Sequence, residues 1–332
     1  MSSSLPWVDL ATPALRPRDA YLLLLLTPYA LSRLAFGFLM VFAYTLLLLV
    51  LQRRPAPGAD PDVPKFRAYP FLLRASRATG RLFLIALGIR VRVDGEEHVA
   101  GAYAGKTATV VVANHVSYLD IFVVGATVGP YFPIMRADMD RWPVFGPLLR
   151  LWGAQGVDRN KTRPATGAAR ASVSQIIADR ARRTDRWARH PPLLVFPEGT
   201  CTTGEAPLLR FKPGGFVAGV PVMPVCIRYR MGSINAGWVW RERPTRVWPM
   251  SVWPMDILHL VRMILQPGKE VHVTVLPPYA PSPAEQADPT LFAANVRKVM
   301  GAAMQLPDTD VGSLEDARAF YMQRNPDYAK AA

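Results

Sequence analysis

The chain has 332 residues, of which 50% are hydrophobic, and its 39 Lys and Arg outnumber 25 Asp and Glu to give a formal net charge of +14. Such a basic, apolar chain suits an anionic partner, which is either a nucleic acid or a membrane face that carries phosphate groups. The sequence contains no zinc-ligand spacing, no RNP-like string and no helix-turn-helix pattern, which argues against nucleic-acid binding.

An apolar segment follows a polar, Pro-containing leader at residues 1–20. Residues 34–51 are 18 consecutive residues without a charge, which meets the minimum length for crossing a bilayer. A cleaved signal peptide fits poorly, because the preceding charges are mixed and no small-residue cleavage site follows a short apolar core. We therefore predict a membrane-anchoring element over residues 21–54.

The form of this element has three interpretations. Residues 21–31 are a second apolar run, separated from the first by a Ser-Arg pair, and Pro28 favours a break between helical segments. The element is therefore either one spanning helix or a helical hairpin that dips into one leaflet. A buried core helix is the third interpretation, although core helices rarely stay apolar on every face over this length.

Basic residues follow the apolar element. After a Pro-rich linker at residues 55–64, residues 65–92 contain seven Lys or Arg and no acidic residue. This charge pattern is typical of a flank held on the cytosolic side of a membrane. Within the flank, residues 71–87 place basic and apolar side chains at helical spacing. This segment either lies in the headgroup plane of an anionic membrane or packs against the domain with its charged face in solvent.

The remainder of the chain alternates strand-like and helix-like segments. Longer Ala/Arg-rich stretches such as residues 165–189 are helical in pattern, so the alternation predicts an α/β domain with a mostly parallel central sheet flanked by helices. We place this domain at residues 65–325, before a tail at residues 326–332. The candidate strands, most of them rich in β-branched or aromatic residues, are Ile89–Val93, Ala108–Ala113, Tyr131–Met135, Gly156–Asp158, Leu193–Phe196, Met223–Tyr229 and Val271–Leu276.

The string Asn114-His115-Val-Ser-Tyr-Leu-Asp120 places a potential base five residues before a carboxylate. A regular helix brings together side chains three or four apart, not five. We therefore expect the preceding strand to deliver His115, Ser117 to start a helix, and Asp120 to reach back to the imidazole from the first turn. There Asp120 would fix the tautomer and stabilise the imidazolium. The alternative is a capping box, in which Asp120 caps backbone N–H groups without contacting His115.

A second string, Phe-Pro-Glu-Gly-Thr-Cys at residues 196–201, begins 76 residues after Asp120. It predicts a strand that ends in a tight turn, where glycine lets the backbone approach a ligand closely. The two cysteines, Cys201 and Cys226, give no disulfide framework and no metal spacing. They indicate a reduced, cytosol-facing site, and we interpret Cys201 as a small packing residue.

Together, in this order and at this distance, the two strings resemble the Asn-His-x4-Asp and Phe-Pro-Glu-Gly-Thr blocks of the glycerophospholipid acyltransferase superfamily, which includes the 1-acylglycerol-phosphate acyltransferases. Residues 153–160 and residues 220–225 resemble the two other blocks of the family, all in family order. The Cys after Glu-Gly-Thr and the run Phe-Lys-Pro-Gly-Gly-Phe at residues 211–216 point to the lysophosphatidylcholine acyltransferase branch. The resemblance covers about residues 65–325.

The resemblance implies a role for each residue of the two strings. It makes His115 the general base, a part that a near-neutral imidazole commonly takes, with Asp120 as its partner. It places Glu198, Gly199 and Thr200 at the glycerophosphate site. It implies no metal and no cofactor, with acyl-CoA as a co-substrate.

Two further cations are candidates for binding anions. The resemblance makes Arg159 a phosphate ligand, and Arg suits the bidentate contact that a phosphate prefers. The alternative is that Arg159 belongs to a solvated basic loop. Lys212 precedes a Pro at the first position of a predicted helix, and helix N-termini attract anions. Its ligand is the acceptor phosphate, coenzyme A or nothing.

The expected reaction moves an acyl chain from acyl-CoA to the free glycerol hydroxyl of a lysophospholipid of the choline or ethanolamine type. The acyl chain should pass directly from acyl-CoA to the acceptor, without an acyl-serine intermediate, because the chain has no Gly-x-Ser-x-Gly motif to supply a serine nucleophile. The alternatives are a lysophosphatidic acid acyltransferase, a transacylase, and a non-catalytic lipid-binding scaffold. The expected partners are the two substrates and membrane lipids, without nucleic acid. The expected location is the endoplasmic reticulum membrane, with the site facing the cytosol.

Overall fold

The computed structural model describes residues 17–51, 70–99, 109–136, 152–157, 177–182, 190–231, 254–265 and 268–324, together with isolated positions between them. The described chain forms a seven-stranded sheet between two apolar clusters, each covered by helices, which confirms the predicted α/β class. The predicted linker and tail lie outside the described residues. So does most of the predicted helix at residues 165–189, of which residues 177–182 are described and helical.

All seven predicted strands are present, and each end lies within two residues of its prediction. The sheet order is β1-β7-β6-β2-β5-β3-β4, and every neighbouring pair is parallel except β6 with β7. The predicted mostly parallel sheet is therefore confirmed. The strands are β1 (Arg90–Asp94), β2 (Val110–Ala113), β3 (Phe132–Arg136), β4 (Gln155–Val157), β5 (Leu193–Val195), β6 (Val222–Arg230) and β7 (Glu270–Val275).

The helices cover both faces of this sheet. The central strand β2 is buried on both sides: Val111 and Ala113 face one apolar cluster, and Val110 and Val112 face the other. Such burial explains the continuous run of valines, since a parallel strand between two helical layers has no polar face. The helices are α1 (Pro17–Leu51), α2 (Pro70–Ala86), α3 (Asp120–Thr127), α4 (Pro254–Leu265), α5 (Pro283–Ala287), α6 (Pro289–Ala303) and α7 (Leu314–Arg324).

Helix α1 is the predicted apolar element. It continues through Pro28 as one helix of 35 residues, so the break suggested by that proline does not form. A proline removes one hydrogen bond from the ladder, and the bonds on either side carry the helix across it. Within α1, Leu24–Leu47 is long and apolar enough to cross a membrane, the only such stretch in the part of the chain that the structure describes. Most of it is exposed, which argues against a core helix.

One stripe of α1 packs against the domain. Its buried positions recur at intervals of four or seven residues, and at Gly37 a β-carbon would lie 3.0 Å from the ring of Phe83 in α2. The opposite side carries large apolar side chains in solvent, among them Leu24, Leu25, Phe42 and Val50. This exposed apolar side is what a membrane element requires.

Helix α2 packs on the domain, but its Arg77 lies against α3 rather than in solvent, so the predicted solvated charged face is met only in part. A β-carbon at Gly80 would lie 2.7 Å from the backbone nitrogen of Ala126, so α2 and α3 cross in close contact there. Arg77 donates to the carbonyl of Thr127 at 2.7 Å and so caps the end of α3. The outer side of α2 leaves Leu82 and other large apolar residues exposed.

Two cations satisfy the last carbonyls of α2. Arg33, from the middle of α1, donates to the carbonyls of Ile85 and Ala86. Lys269, which directly precedes β7, is buried and donates to the carbonyls of Leu87 and Ile264. Burial and the nearby Arg33 lower the pKa of Lys269 to about 8. Because carbonyls at a helix C-terminus attract cations, these contacts join α1, α2 and the sheet.

Candidate active site

The side chain of Asn114 replaces a backbone pairing at the end of β2. Strand β2 pairs with β6 as far as Ala113, which lies opposite Val225. The Asn114 amide then donates to the carbonyl of Ile227 at 3.0 Å, and its oxygen accepts from the Ile227 N–H at 2.7 Å. Because this side chain satisfies the next step of the ladder, the backbone can leave the sheet. His115 is therefore delivered at the carboxyl end of the strands, where open α/β sheets bind ligands.

The carboxylate of Asp120 lies at the centre of the loop that follows. It is fully buried, and its Oδ2 accepts from the backbone N–H groups of Val116 at 2.7 Å and Ser117 at 2.9 Å. The same oxygen accepts from Nδ1 of His115 at 2.9 Å. Asp120 therefore caps backbone groups and contacts the imidazole at once, so the two interpretations of the sequence describe a single arrangement.

The helix begins later than predicted. Helix α3 starts at Asp120 rather than at Ser117, and a turn over residues 118 and 119 precedes it. The reason is the carboxylate, whose bonds to two backbone N–H groups hold the preceding residues in a turn. The negative charge of Asp120 in the first turn also stabilises the helix, because the N-terminal end of the helix dipole is positive.

Phe196, from the second string, fixes the plane of the imidazole. The rings of Phe196 and His115 stack with centroids 4.2 Å apart and planes 20° apart. With Nδ1 bonded to Asp120, the nitrogen left for chemistry is Nε2. The His115 side chain is 22% exposed and that of Asp120 is 0% exposed, so the imidazole is the part of the pair that a ligand can reach.

Glu198 lies beneath the loop that carries His115. Its side chain is buried, Oε1 accepts from the His115 backbone N–H at 2.8 Å, and Oε2 accepts from the Leu209 N–H at 3.1 Å. Burial raises the pKa of Glu198 to about 7, although the two backbone hydrogen bonds act in the opposite direction. The sequence placed Glu198 among the substrate contacts, whereas the structure places its two oxygens on backbone donors.

Gly199 and Thr200 form the partly exposed end of this turn. Gly199 has φ +74°, a conformation that favours glycine. A β-carbon there would lie 2.6 Å from Nζ of Lys212, so the ammonium group covers this glycine. The predicted helix after Lys212 is wrong, because Pro213–Gly215 form only a single 3-10 turn. The anion site expected at a helix N-terminus is therefore not formed by these residues.

Thr202 holds the His115 loop from its other side. The backbone N–H of Thr202 donates to the carbonyl of His115 at 2.8 Å. Cys201 is buried, as is Cys226. The buried position agrees with the interpretation of Cys201 as a packing residue.

Tyr229 is a member of the site that the sequence did not reveal. Its phenol donates from β6 to Oδ1 of Asp120 at 2.7 Å, across 109 positions of the chain. No local pattern connects a strand tyrosine with a loop aspartate. Only the pairing of β6 with β2 brings Tyr229 to Asp120, and that pairing has no sequence signal of its own.

A mostly apolar pocket lies between α1, α2 and α3, next to the start of α3. Its wall includes the two residues that directly follow Asp120. The pocket is lined by Val41, Tyr44, Ser76, Thr79, Gly80, Ile121, Phe122, Gly125, Pro130, Tyr131, Pro133 and Trp152.

Arg159 lies outside the described residues, so its phosphate contact stays a prediction.

Comparison with known proteins identifies the same part of the chain. A family model described as Acyltransferase matches residues 90–228. The chain is 38% identical over 238 residues to the human lysophospholipid acyltransferase LPCAT4, covering 70% of this chain and 41% of that protein. It is 31% identical over 294 residues to the mouse lysophosphatidylcholine acyltransferase 1, covering 88% and 49%. A Drosophila melanogaster lysophosphatidylcholine acyltransferase is 35% identical over 241 residues, covering 70% and 41%.

The chain spans half or less of the length of these curated relatives. Among solved structures, the 1-acyl-sn-glycerophosphate acyltransferase PlsC from Thermotoga maritima matches with a TM-score of 0.48 and 18% identity, covering 83% of this chain and 96% of that one. The family match spans the His115, Asp120 and Glu198 motifs and five of the seven strands wholly, from β1 to β5, with most of β6. The chain belongs to the glycerophospholipid acyltransferase superfamily, in its lysophosphatidylcholine acyltransferase branch.

Proposed function

We propose that this protein is a membrane-bound acyltransferase that moves an acyl chain from acyl-CoA to the free glycerol hydroxyl of a lysophospholipid, with His115 as general base. The observation that carries the proposal is the 2.9 Å hydrogen bond between Nδ1 of His115 and the buried carboxylate of Asp120. That bond leaves Nε2 as the basic nitrogen of a neutral ring. The relatives described above are lysophospholipid and lysophosphatidylcholine acyltransferases by name, which supports a lysophospholipid acceptor.

The proposed reaction is a direct transfer. Nε2 of His115 removes the proton of the glycerol hydroxyl while the hydroxyl oxygen attacks the acyl carbonyl of acyl-CoA. The new C–O bond forms, the C–S bond breaks, and the imidazolium returns its proton to the departing thiolate. Asp120 stabilises the transient imidazolium through Nδ1, and general-base catalysis of this kind contributes about 10²–10⁴-fold.

We infer that the glycerophosphate group lies against Gly199 and Thr200, which the turn leaves partly exposed. Lys212 Nζ stands over Gly199 and supplies positive charge there. Arg159 remains the proposed bidentate phosphate ligand. Glu198 supports the site from beneath, because both of its oxygens accept backbone N–H groups.

The apolar pocket between α1, α2 and α3 suits the acyl chain. Its lining is mostly apolar, with Ser76, Thr79 and two tyrosines as the polar exceptions. Its wall includes Ile121 and Phe122, which directly follow Asp120 in the chain. A hydrocarbon chain gains about 0.8 kcal/mol for each buried CH₂ group.

The exposed apolar side of α1 supports attachment to a membrane. We propose that α1 anchors the protein in the endoplasmic reticulum membrane with the site on the cytosolic side. Extraction with alkaline carbonate tests the anchor: the protein should stay in the membrane pellet, and full release would contradict an inserted helix. Limited proteolysis of sealed microsomes tests the orientation, because cytosolic residues are cleaved without detergent.

The decisive experiment is an acyl-transfer assay with radiolabelled acyl-CoA and a panel of acceptors. We expect label in the products of lysophosphatidylcholine or lysophosphatidylethanolamine, and none without an acceptor. Label only in the product of lysophosphatidic acid would instead establish the alternative acceptor. Turnover that does not depend on added acyl-CoA would establish a transacylase.

A pair of histidine variants ties the activity to the site. His115→Ala should retain less than about a tenth of wild-type turnover, given the size of general-base effects. His272→Ala is the matched control, because Nε2 of His272 contacts the Asp94 carboxylate at 2.6 Å on the far edge of the sheet. The control should keep full turnover. A folded His115→Ala protein with near-normal activity would remove His115 from the base role.

A further inference from the structure

We propose that Tyr229 is a positioning residue for catalysis, holding Asp120 in the orientation that serves His115. The inference rests on the proposed acyl transfer, and it deepens that proposal by adding a member to the site. Tyr229 contacts neither substrate in this proposal. It acts through the hydrogen bond from its phenol to Oδ1 of Asp120, at 2.7 Å.

The two oxygens of Asp120 have different partners. Oδ2 accepts three hydrogen bonds, all from its own loop: from His115 Nδ1 and from the backbone of Val116 and Ser117. Among the described residues, Tyr229 is the donor that the structure gives to Oδ1. A fully buried carboxylate oxygen without a donor is costly. Removal of the phenol would therefore favour rotation of the carboxylate away from the geometry that serves His115.

The position of the phenol is set by the sheet. Asn114 bonds both backbone groups of Ile227, and Tyr229 follows two residues later on the same strand. Strand β6 thus holds the first residue of the motif through Ile227 and the last residue, Asp120, through Tyr229. Anchoring on a strand places a catalytic group more accurately than anchoring on a loop.

The ionisation of the neighbours suits this role. Burial and the charge of Asp120 raise the pKa of Tyr229 well above 10, so it remains a neutral donor. Among the described residues, the titratable groups that interact electrostatically with this pair include His115, Tyr118, Tyr131, Cys201 and Glu198. Burial also raises the pKa of Tyr131, and of Glu198 to about 7. Because the charge of Glu198 changes near neutral pH, all variants are compared at one pH.

The first test is Tyr229→Phe, which removes only the hydroxyl. We expect kcat to fall roughly tenfold or more, because a hydrogen bond to a charged group is lost, while KM changes less than about twofold for both substrates. Tyr279→Phe is the matched control, since Tyr279 also donates to a carboxylate, Glu285, at 2.6 Å. It should leave kcat unchanged. Equal effects of the two variants on kcat would overturn the proposal.

A double-mutant cycle separates action through Asp120 from a general effect on packing. In an Asp120→Asn background, Tyr229→Phe should change kcat by less than about twofold, because the group that Tyr229 positions is already lost. A loss in that background as large as in the wild-type background would show that Tyr229 acts independently of Asp120, and the proposal would fail.

The third measurement does not depend on turnover. Histidine-labelled protein has only five histidines, so the imidazole ¹⁵N resonance of His115 can be assigned by loss of its signal in His115→Ala. Tyr229→Phe should shift that resonance, and Tyr279→Phe should not. An unshifted resonance overturns the inference even where the enzyme is active. A shifted resonance in a protein that transfers no acyl group supports the inference and rejects the proposed function alone.

Discussion

Glu198 and His115 are joined through the backbone: the His115 N–H donates to Oε1 of Glu198 at 2.8 Å, while the imidazole points to Asp120. One carboxylate therefore holds the main chain of the histidine and another holds its ring. Glu198 belongs to the Phe-Pro-Glu-Gly-Thr-Cys string, and Asp120 belongs to the string that contains His115 itself. This explains why the two strings form one site although 76 residues separate Asp120 from Phe196.

Asp120→Asn should lower both activity and stability. An asparagine keeps the shape, but its NH₂ group would face donors that now bond a carboxylate oxygen. Turnover should fall about 10²–10⁴-fold if the base depends on its partner. The free energy of unfolding should fall by roughly 1–3 kcal/mol, because buried donors lose their acceptor. Chemical denaturation and the acyl-transfer assay measure the two effects on one preparation.

The control for that variant is Asp94→Asn, which also removes a carboxylate bonded to a histidine but at an exposed position. Both quantities should stay at their wild-type values. Stability lost without loss of activity per folded molecule would restrict Asp120 to its capping role.

Glu198→Gln should change how stability depends on pH. The folded protein raises the pKa of Glu198 from 4.5 to about 7. Folding therefore favours the protonated form, and Glu198 lowers the free energy of unfolding as pH rises from about 4.5 through about 7. Glutamine cannot ionise. Across this pH window, the free energy of unfolding of the variant should therefore rise by roughly 3 kcal/mol relative to that of the wild type. Urea titrations at a series of pH values measure the difference, and parallel curves would refute the raised pKa.

Gly199→Ala should damage the site by strain. The residue has φ +74°, which costs a side chain about 1–2 kcal/mol, and the new methyl group would displace the Lys212 ammonium. We expect lower thermal stability and a higher KM for the acceptor. Gly214→Ala is the comparison, because nothing lies within 4 Å of a β-carbon there and φ is not in the left-handed region. Indistinguishable behaviour of the two variants would argue against close packing at Gly199.

Arg159→Ala should weaken use of the acceptor more than use of acyl-CoA. A lost charge-assisted hydrogen bond costs ~1.5–3 kcal/mol, so kcat/KM for the acceptor should fall by about ten- to 150-fold. Arg159→Lys should recover only part of this, because an ammonium lacks the planar fork. The KM values of both substrates are measured on each variant. A rise confined to the donor would move Arg159 to the coenzyme A site.

The elements that the sequence predicted are those with a local signal. The seven strands are short apolar runs between turns, and the five-residue spacing of His115 and Asp120 required a loop before the helix. Tyr229 had no such signal, since its role depends on which strands are neighbours. The resemblance assigned Glu198 to the glycerophosphate site, and no local pattern shows that Glu198 is buried and accepts the backbone N–H of Leu209. In the sequence, Arg33 only interrupts two apolar runs. In the structure it donates to the last carbonyls of α2.

The two cations at the end of α2 also set an order of assembly on the ribosome. Arg33 is synthesised before α2 and reaches the carbonyls of Ile85 and Ala86 as soon as that helix emerges. Lys269 is synthesised long afterwards, so the carbonyl of Leu87 obtains its cation only when β7 has left the exit tunnel. The contact between Arg33 and α2 can therefore form early in translation, whereas the contact between Lys269 and the Leu87 carbonyl forms only late.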